Sequence, residues 1–531
     1  MRALTRRGLL AGTAAAGGLT ALPALPARAA ERVPAAPRIA PGDGRYGDLV
    51  RGGNLRFVGA PDYVAVVSST AQVVREVQQA IQGGRRVTVR SGGHCYENFV
   101  ADPAVQVVID LAGLNRVSYD AGRRAFAVEA GATLGDVYRT LYKGWGVVPP
   151  AGNCPTVGAG GHIPGGGYGS LSRQYGLVVD HLYAIEVVVV DASGTARAVV
   201  AARDSADAAL RDLWWAHTGG GGGNFGIVTR FWLRSPGATG DDPATLLPRP
   251  PAQLTVSTAA WSWNGLTRGD FDRIVRNYCG WYERNSGPSS PYLGLAGQLK
   301  LAHQATGSIG LATTVDATRP DSAAVLDGYY TALTDGVGVP LQVTERRTLP
   351  WWHASWWNGF NGGDSPLTLR FKAGSAYLKK TYRQAQLDGL YASLTATGEN
   401  PATAALLAGY GGRINAVDPA ATAVASRDSI IKVQYATFWT DEADDDRNVD
   451  WLRRFYRDVH ADTGGVPILD DVTDGAFINY VDADLADPAW NTSGVGWQTL
   501  YYGANYPRLR QVKTAWDPGN VFRHALSIEP I

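Results

Sequence analysis

Two reactive heteroatoms sit in glycine-rich surroundings early in the chain. His94 closes the loop RSGGH (Arg90, Ser91, Gly92, Gly93, His94) inside RSGGHCYENF, and Cys154 lies in GNCPTV, 60 residues further on. An imidazole and a thiolate are both nucleophiles. Two further glycine loops follow the first. Residues 152–169 contain Cys154, Val157, Gly160 and Gly161, and residues 218–228 contain Gly222, Asn224 and Gly226. Backbone N–H groups in such loops can cradle phosphates. None of the three has the strand–GxGxxG–helix setting of a Rossmann fingerprint or the Lys-Ser/Thr ending of a Walker loop. Taken singly, His94 reads as a satisfied core histidine and Cys154 as a buried apolar thiol. Together, three loops point to one extended ligand lying against backbone, and a dinucleotide of flavin size fits. An isoalloxazine ring offers two carbons to such nucleophiles, the 8-methyl carbon and C6.

The elements that hold these loops are legible from periodicity. YVAVVSS reads as a strand, AQVVREVQQAIQGG as an amphipathic helix ended by glycine, and RRVTVRSGGH as a second strand running into the first loop. His94 is therefore delivered just beyond a strand end, where α/β sheets tend to bind ligands. QVVIDLAGL, RAFAVEAGATLGDVYRTLYKGW and HLYAIEVVVVDASGTARAVV continue as strand, strand–helix and two strands about a turn at 192–194. A linker-like stretch, GATGDDPATLLPRPPAQ, precedes a change of texture to strands mixed with longer helices. The expected class is α+β.

Composition bounds the rest. The 531 residues are 45% apolar and 18% charged, with a net charge of +1, which favours neither nucleic acid nor an anionic membrane as a partner. No window of about 20 apolar residues follows the N-terminus, so no membrane span is expected. Residues 1–30 read as an export signal. Arg6 and Arg7 precede a weakly apolar run, and Ala27-Arg28-Ala29 forms a small-residue cleavage site. The arginine pair makes the signal twin-arginine-like, a route that exports folded and cofactor-loaded proteins to a secreted location. Three cysteines, Cys95, Cys154 and Cys279, do not make a disulfide scaffold. No HxH, HExxH or CxxC spacing suggests a metal, and nothing indicates a protein partner.

RSGGHCYENF, GNCPTVGAGGHIPGGGYGSLSRQYGLVVDHLYAIEVV, DLWWAHTGGGGGNFGIVT and the closing INYVDADL…WNTSGVGWQTLYYGANYPRLRQVKTAWDPGNVFRHALSI closely resemble the berberine bridge enzyme-like family of FAD-linked oxidases. That family has the vanillyl-alcohol oxidase / p-cresol methylhydroxylase fold, and the resemblance runs over nearly the whole chain after the signal. It implies a two-domain protein: an FAD domain over 31–240 completed by a return segment over 476–531, and a substrate domain over 241–475, an antiparallel sheet covered by helices. It also implies bicovalent FAD, with His94 on the flavin 8α-carbon and Cys154 on C6, leaving Cys95 a bystander. Such a tethered site can stay wide and admit a bulky substrate. Valine at 157 is associated in the family with access of O2, hence with an oxidase that makes hydrogen peroxide.

The resemblance also supplies a catalytic set. In IIKVQYATFW, Gln434 stands where the alkaloid-cyclising members carry a glutamate base, so the chain departs from them. The tyrosine that serves as base in alcohol-oxidising members maps to Tyr480 of INYVDADL. A free phenol has a pKa of about 10, and a nearby cation would lower it. Lys432, two residues before Gln434 and so on the same strand face, is the candidate cation. Tyr410 and Tyr168 match two further active-site tyrosines. The implied reaction oxidises a sugar hydroxyl of an oligosaccharide or glycosylated natural product. Alternatives are oxidation of an aromatic allylic alcohol, an oxidative cyclisation, or a flavin-free scaffold. WWHASWWNGF, residues 351–360, reads equally as core or as an aromatic cleft.

Overall fold

Four short strands carry the first loop: β1 (Arg38–Ile39), β2 (Tyr63–Val66), β3 (Val87–Arg90) and β4 (Val107–Asp110). They lie in the order β1-β2-β4-β3, with β2 and β3 both parallel to β4. The helix Thr70–Gln82 makes the crossover. It starts where the Ser69 hydroxyl accepts from the Gln72 N–H at 3.3 Å, and it buries Val73, Val77 and Ala80 at helical spacing. β3 ends at Arg90, so RSGGH begins where the strand stops, as its pattern predicts. These features belong to a computed structural model that describes residues 34–360 and 368–531. The export signal lies outside the described residues.

A second sheet, antiparallel throughout, comprises β5 (Val117–Asp120), β6 (Ala125–Glu129), β7 (Leu182–Val190), β8 (Ala196–Ala202) and β9 (Ile227–Leu233) in the order β5-β6-β9-β7-β8. The second glycine loop follows the helix Leu134–Trp145, and the third runs directly into β9. All three loops thus emerge from ends of regular elements.

The third sheet builds the other wall. β10 (Gln253–Ser262), β11 (Leu295–Ala302), β12 (Ser308–Asp316), β13 (Gln342–Pro350), β14 (Arg370–Leu378), β15 (Thr403–Gly409) and β16 (Ile431–Trp439) pair antiparallel in the order β13-β10-β12-β11-β15-β16-β14. Strand side chains alternate between faces. On β16, Tyr435 packs edge-on to Phe455 and Tyr456 of the helix Asp445–Val459, so odd residues face the helices. Tyr278 of the helix Arg268–Asn285 binds the carbonyls of Gly297 and Leu407 from the same side. Lys432, Gln434 and Phe438, even residues of β16, line the cavity instead.

The chain from 476 returns to the glycine loops. Tyr502 donates to the Gly220 carbonyl at 3.1 Å, Lys513 to the Asn224 carbonyl at 2.6 Å, and the Ile528 N–H to Asn224 Oδ1 at 2.9 Å. Residues 35–531 form one compact unit. Among the described residues no helix is long and apolar enough to cross a membrane.

Candidate active site

The glycine loops and the seven-stranded sheet enclose a cavity of about 1390 Å³. Ligand sites are commonly about 300–1,000 Å³, so there is room for a dinucleotide and a second molecule. The loops interlock glycine on glycine. A Cβ at Gly92 would overlap the Gly158 backbone, and one at Gly160 would lie 2.8 Å from the Ala130 carbonyl. On the open side, a Cβ at Gly161 would meet nothing within 4 Å. Among the described residues, the N–H groups of Gly92, Gly93 and His94 have no protein acceptor. These features fit a group with a pyrophosphate and a flat ring, which is what FAD presents.

The remaining loop residues build the cradle. Ser91 lines it and donates to the Ala130 carbonyl at 2.6 Å. The Arg90 guanidinium is held on Asp110 at 2.5 Å and on the Leu49 and Arg51 carbonyls, so it positions the loop from behind. Asn224 likewise braces the third loop, donating to the Gly220 carbonyl at 2.8 Å and accepting from the returning chain. Gly222 lines the cavity beside Gly160, and Gly226 sits at φ +158° against Val188, where no side chain fits.

His94 and Cys154 converge. His94 Nε2 lies 3.0 Å from Thr156 Oγ1, and Cys154 Sγ lies 3.4 Å from the same hydroxyl. Burial lowers the pKa of His94, favouring the neutral, nucleophilic ring. Burial pushes the Cys95 thiol up to about 11, which makes it inert at neutral pH. Val157 lines the cavity beside Cys154.

An amine–phenol pair lines the same cavity. Lys432 Nζ lies 2.8 Å from the Tyr480 hydroxyl. It also lies 4.7, 4.9 and 4.0 Å from the ring centroids of Tyr168, Phe477 and Tyr480, and no carboxylate among the described residues pairs with it. Burial without a counter-charge lowers its pKa to about 7. The expected lowering of the Tyr480 pKa does not occur. Burial, with a smaller contribution from Cys154, pushes the phenol up to about 12. The environment disfavours both charged forms, so the phenol keeps its proton at neutral pH and the neutral amine is the member free to accept one.

The other tyrosines need correction. Tyr410 does not reach the cavity. It is fully buried behind Tyr168, with ring centroids 5.6 Å apart, and its hydroxyl donates to the Ser426 carbonyl at 3.2 Å. Tyr168 lines the cavity, but its hydroxyl donates to the Gly409 carbonyl at 2.6 Å and only its ring face addresses Lys432. Gln434 reaches the site through a residue that sequence reasoning missed. It donates to the Tyr96 hydroxyl at 2.9 Å, and the Tyr96 ring stacks on Tyr480 at 5.2 Å and 5°. The Trp-rich segment divides. Trp351 and Trp357 are buried, Trp356 is 48% exposed, and none of its four tryptophans lines the cavity.

A buried ion cluster, also missed, joins the two halves of the site. Lys372 of β14 lies 2.8 Å from Glu97, 2.5 Å from Asp482 and 3.0 Å from Asp484. Glu97 follows Tyr96 in the first loop, and Asp482 follows Tyr480 by two. Arg453 closes the cluster on Asp484 at 2.7 Å. Burial alone would lower the Lys372 ammonium; the carboxylates, Asp482 first, more than offset it and hold the group above the ordinary lysine value. One lysine therefore fastens the loop bearing His94 and Tyr96 to the loop bearing Tyr480.

Comparison with known proteins agrees with this geometry. Residues 61–199 match the family described as FAD binding domain, and residues 476–529 match berberine and berberine like. The chain is 50% identical over 542 residues to aclacinomycin-N/aclacinomycin-A oxidase of Streptomyces galilaeus, covering 99% of this chain and 98% of that protein. It is 31% identical to hexose oxidase of Chondrus crispus, covering 92% and 93%. The crystal structure of a glycopeptide hexose oxidase complexed with teicoplanin superposes with a TM-score of 0.89 at 48% identity, over 94% of this chain and 99% of that one. The chain belongs to the berberine bridge enzyme-like family of FAD-linked oxidases, and it is an FAD-linked oxidoreductase.

Proposed function

We propose that the protein is a secreted oxidase that carries FAD on two covalent bonds, from His94 and Cys154, and oxidises a sugar hydroxyl of a bulky glycosylated natural product: R2CH–OH + O2 → R2C=O + H2O2. The observation that carries the reading is the Lys432–Tyr480 pair at 2.8 Å, lining the same cavity as His94 and Cys154. The aclacinomycin oxidase and hexose oxidase relatives support an alcohol or sugar as substrate.

Bound FAD supplies the hydride acceptor. Tyr480 takes the hydroxyl proton as the C–H bond breaks and passes its own proton to the neutral Lys432 amine. Gln434 orients Tyr96, whose stacked ring fixes the plane of Tyr480. Val157 beside Cys154 is small enough to leave a path for O2, and Arg6–Arg7 would direct export of the loaded protein.

The test begins with acid denaturation, removal of small molecules, and measurement of mass and visible spectrum. FAD should remain on the wild type and on His94→Ala and Cys154→Ala singly, but not on the double variant. Release of FAD from the wild type overturns the bicovalent assignment. Peroxide release is then followed over a panel of sugars and bulky glycosides. A flavin-loaded protein that oxidises none of them overturns the substrate reading. Export is checked by fusing residues 1–40 to a folded reporter; retention inside the cell overturns it.

A further inference from the structure

Resting on the reading that a sugar is oxidised beside Tyr480, the geometry points to a second recognition edge on the same cavity wall: Lys300 and Gln298 bind a carboxylate on the aglycone, two strands away from the reacting carbon.

Strand register places the groups. Lys300 of β11 pairs with Leu406 of β15, and Leu406 pairs with Gln434 of β16. Gln298 pairs with Ala408, and Ala408 with Lys432. Directly paired residues share a face, and all six line the cavity. Adjacent strands lie about 4.8 Å apart, so β11 runs roughly 10 Å from the strand that carries Lys432 and Gln434. Two rows thus cross the wall, each passing from a reactive-side polar group through an apolar residue to a distal polar group.

Several charged groups of the cavity are already held by the protein, whereas solvent-exposed Lys300 and half-buried Gln298 are not. Arg90 is held by Asp110, Lys432 by Tyr480, Glu399 by Arg454 and Arg447 by Asp444. Among the described residues the Lys300 ammonium has no ion pair or hydrogen bond, and the Gln298 amide has none. They are two residues apart on one strand face, roughly 7 Å between Cα atoms, within reach of the two oxygens of one carboxylate. One positive charge and one neutral N–H donor match a monoanion. Leu406 and Ala408, in the middle of the two rows, suit a flat apolar ring. The ligand is therefore a glycoside of a planar aromatic acid, with its carboxylate roughly 10 Å from the oxidised carbon.

The test uses the flavin-loaded protein and equilibrium dialysis of 6-carboxy-2-naphthyl glucoside against its methyl ester. The wild type should bind the acid about 10-fold tighter than the ester, the scale of a charge-assisted hydrogen bond. Lys300→Met should abolish that preference, Lys300→Arg should retain it, and Gln298→Leu should reduce it. A wild type indifferent to the acid, or a Lys300→Met protein that keeps the preference, overturns the inference. Dialysis does not depend on turnover. Preferential binding without oxidation of any glycoside would sustain the recognition edge and overturn the oxidase reading; oxidation without acid preference would do the reverse.

Discussion

Lys372 and Lys432 are each 4% exposed and lie on neighbouring strands of one sheet, yet they have opposite chemistry. β14 and β16 are paired with Lys372 opposite Thr437 and Lys432 opposite Tyr377, so the two lysines point to opposite faces. Lys372 meets three carboxylates and stays an ammonium. Lys432 meets a phenol and aromatic faces, and its pKa is lowered to about 7. Burial penalises charge at both positions; the partners decide whether the residue becomes a fastener or a proton acceptor.

The difference can be broken from either side. Tyr480→Phe removes the group that takes the hydroxyl proton and should lower kcat/KM by about 10²–10⁴-fold, and Lys432→Met by about 10²-fold or more. Lys432→Met relieves a buried amine of its desolvation and should leave stability nearly unchanged, whereas Tyr480→Phe takes from that amine its hydrogen-bond partner and should cost about 1 kcal/mol. A Lys432→Met enzyme as active as wild type removes the amine from the mechanism. Lys372→Met leaves three carboxylates facing no ammonium and should cost about 3–5 kcal/mol in denaturant unfolding. An unchanged midpoint would show that the cluster does not fasten the loops.

The pH dependence of stability separates the two lysines by sign. The folded pKa of Lys432 is depressed, so the unfolded chain binds more protons between about 7 and 10.5, and this residue's contribution improves as pH rises through that window. The folded pKa of Lys372 is raised, so its contribution is full below 10.5 and is lost only as pH climbs above that value. Subtracting the unfolding curves of the two Met variants from wild type should give slopes of opposite sign; equal slopes contradict the assignment. The smallest effect belongs to Tyr96→Phe, which removes the hydroxyl that accepts from Gln434 and should cost about 1 kcal/mol, or less than 10-fold in kcat/KM.

Much of the frame was legible because local rules acted without competition. The helix Thr70–Gln82 and strand β3 follow directly from amphipathic period and glycine stops, and the alternation along IIKVQYATFW puts Lys432 and Gln434 on one face. The loop glycines announced close backbone approach. What sequence could not supply was register between distant segments. Tyr96 stands within RSGGHCYENF, but only tertiary stacking gives it a role. Glu97, Asp482 and Asp484 all stood in recognised motifs, and a buried carboxylate cluster demands a cation. Nothing local says that the cation is Lys372, hundreds of residues from Glu97. Tyr410 was misplaced for the related reason that a strand-end tyrosine can turn to either side, and here the Ser426 carbonyl holds it inward. The Tyr480 phenol is not lowered, because a neighbouring amine lowers a phenol only when it is itself charged.

The most direct test is the pH dependence of the rate of flavin reduction by a glycoside substrate under anaerobic conditions, in wild type and Lys432→Met. With Lys432 as the final proton acceptor, the wild-type rate should fall on the acid side with a midpoint near 7, as the amine takes up its proton. That limb should vanish in Lys432→Met, leaving a slow rate that rises only towards the phenol's own range near 12. An acid limb that persists unchanged in Lys432→Met would contradict the assignment and return the proton to another group.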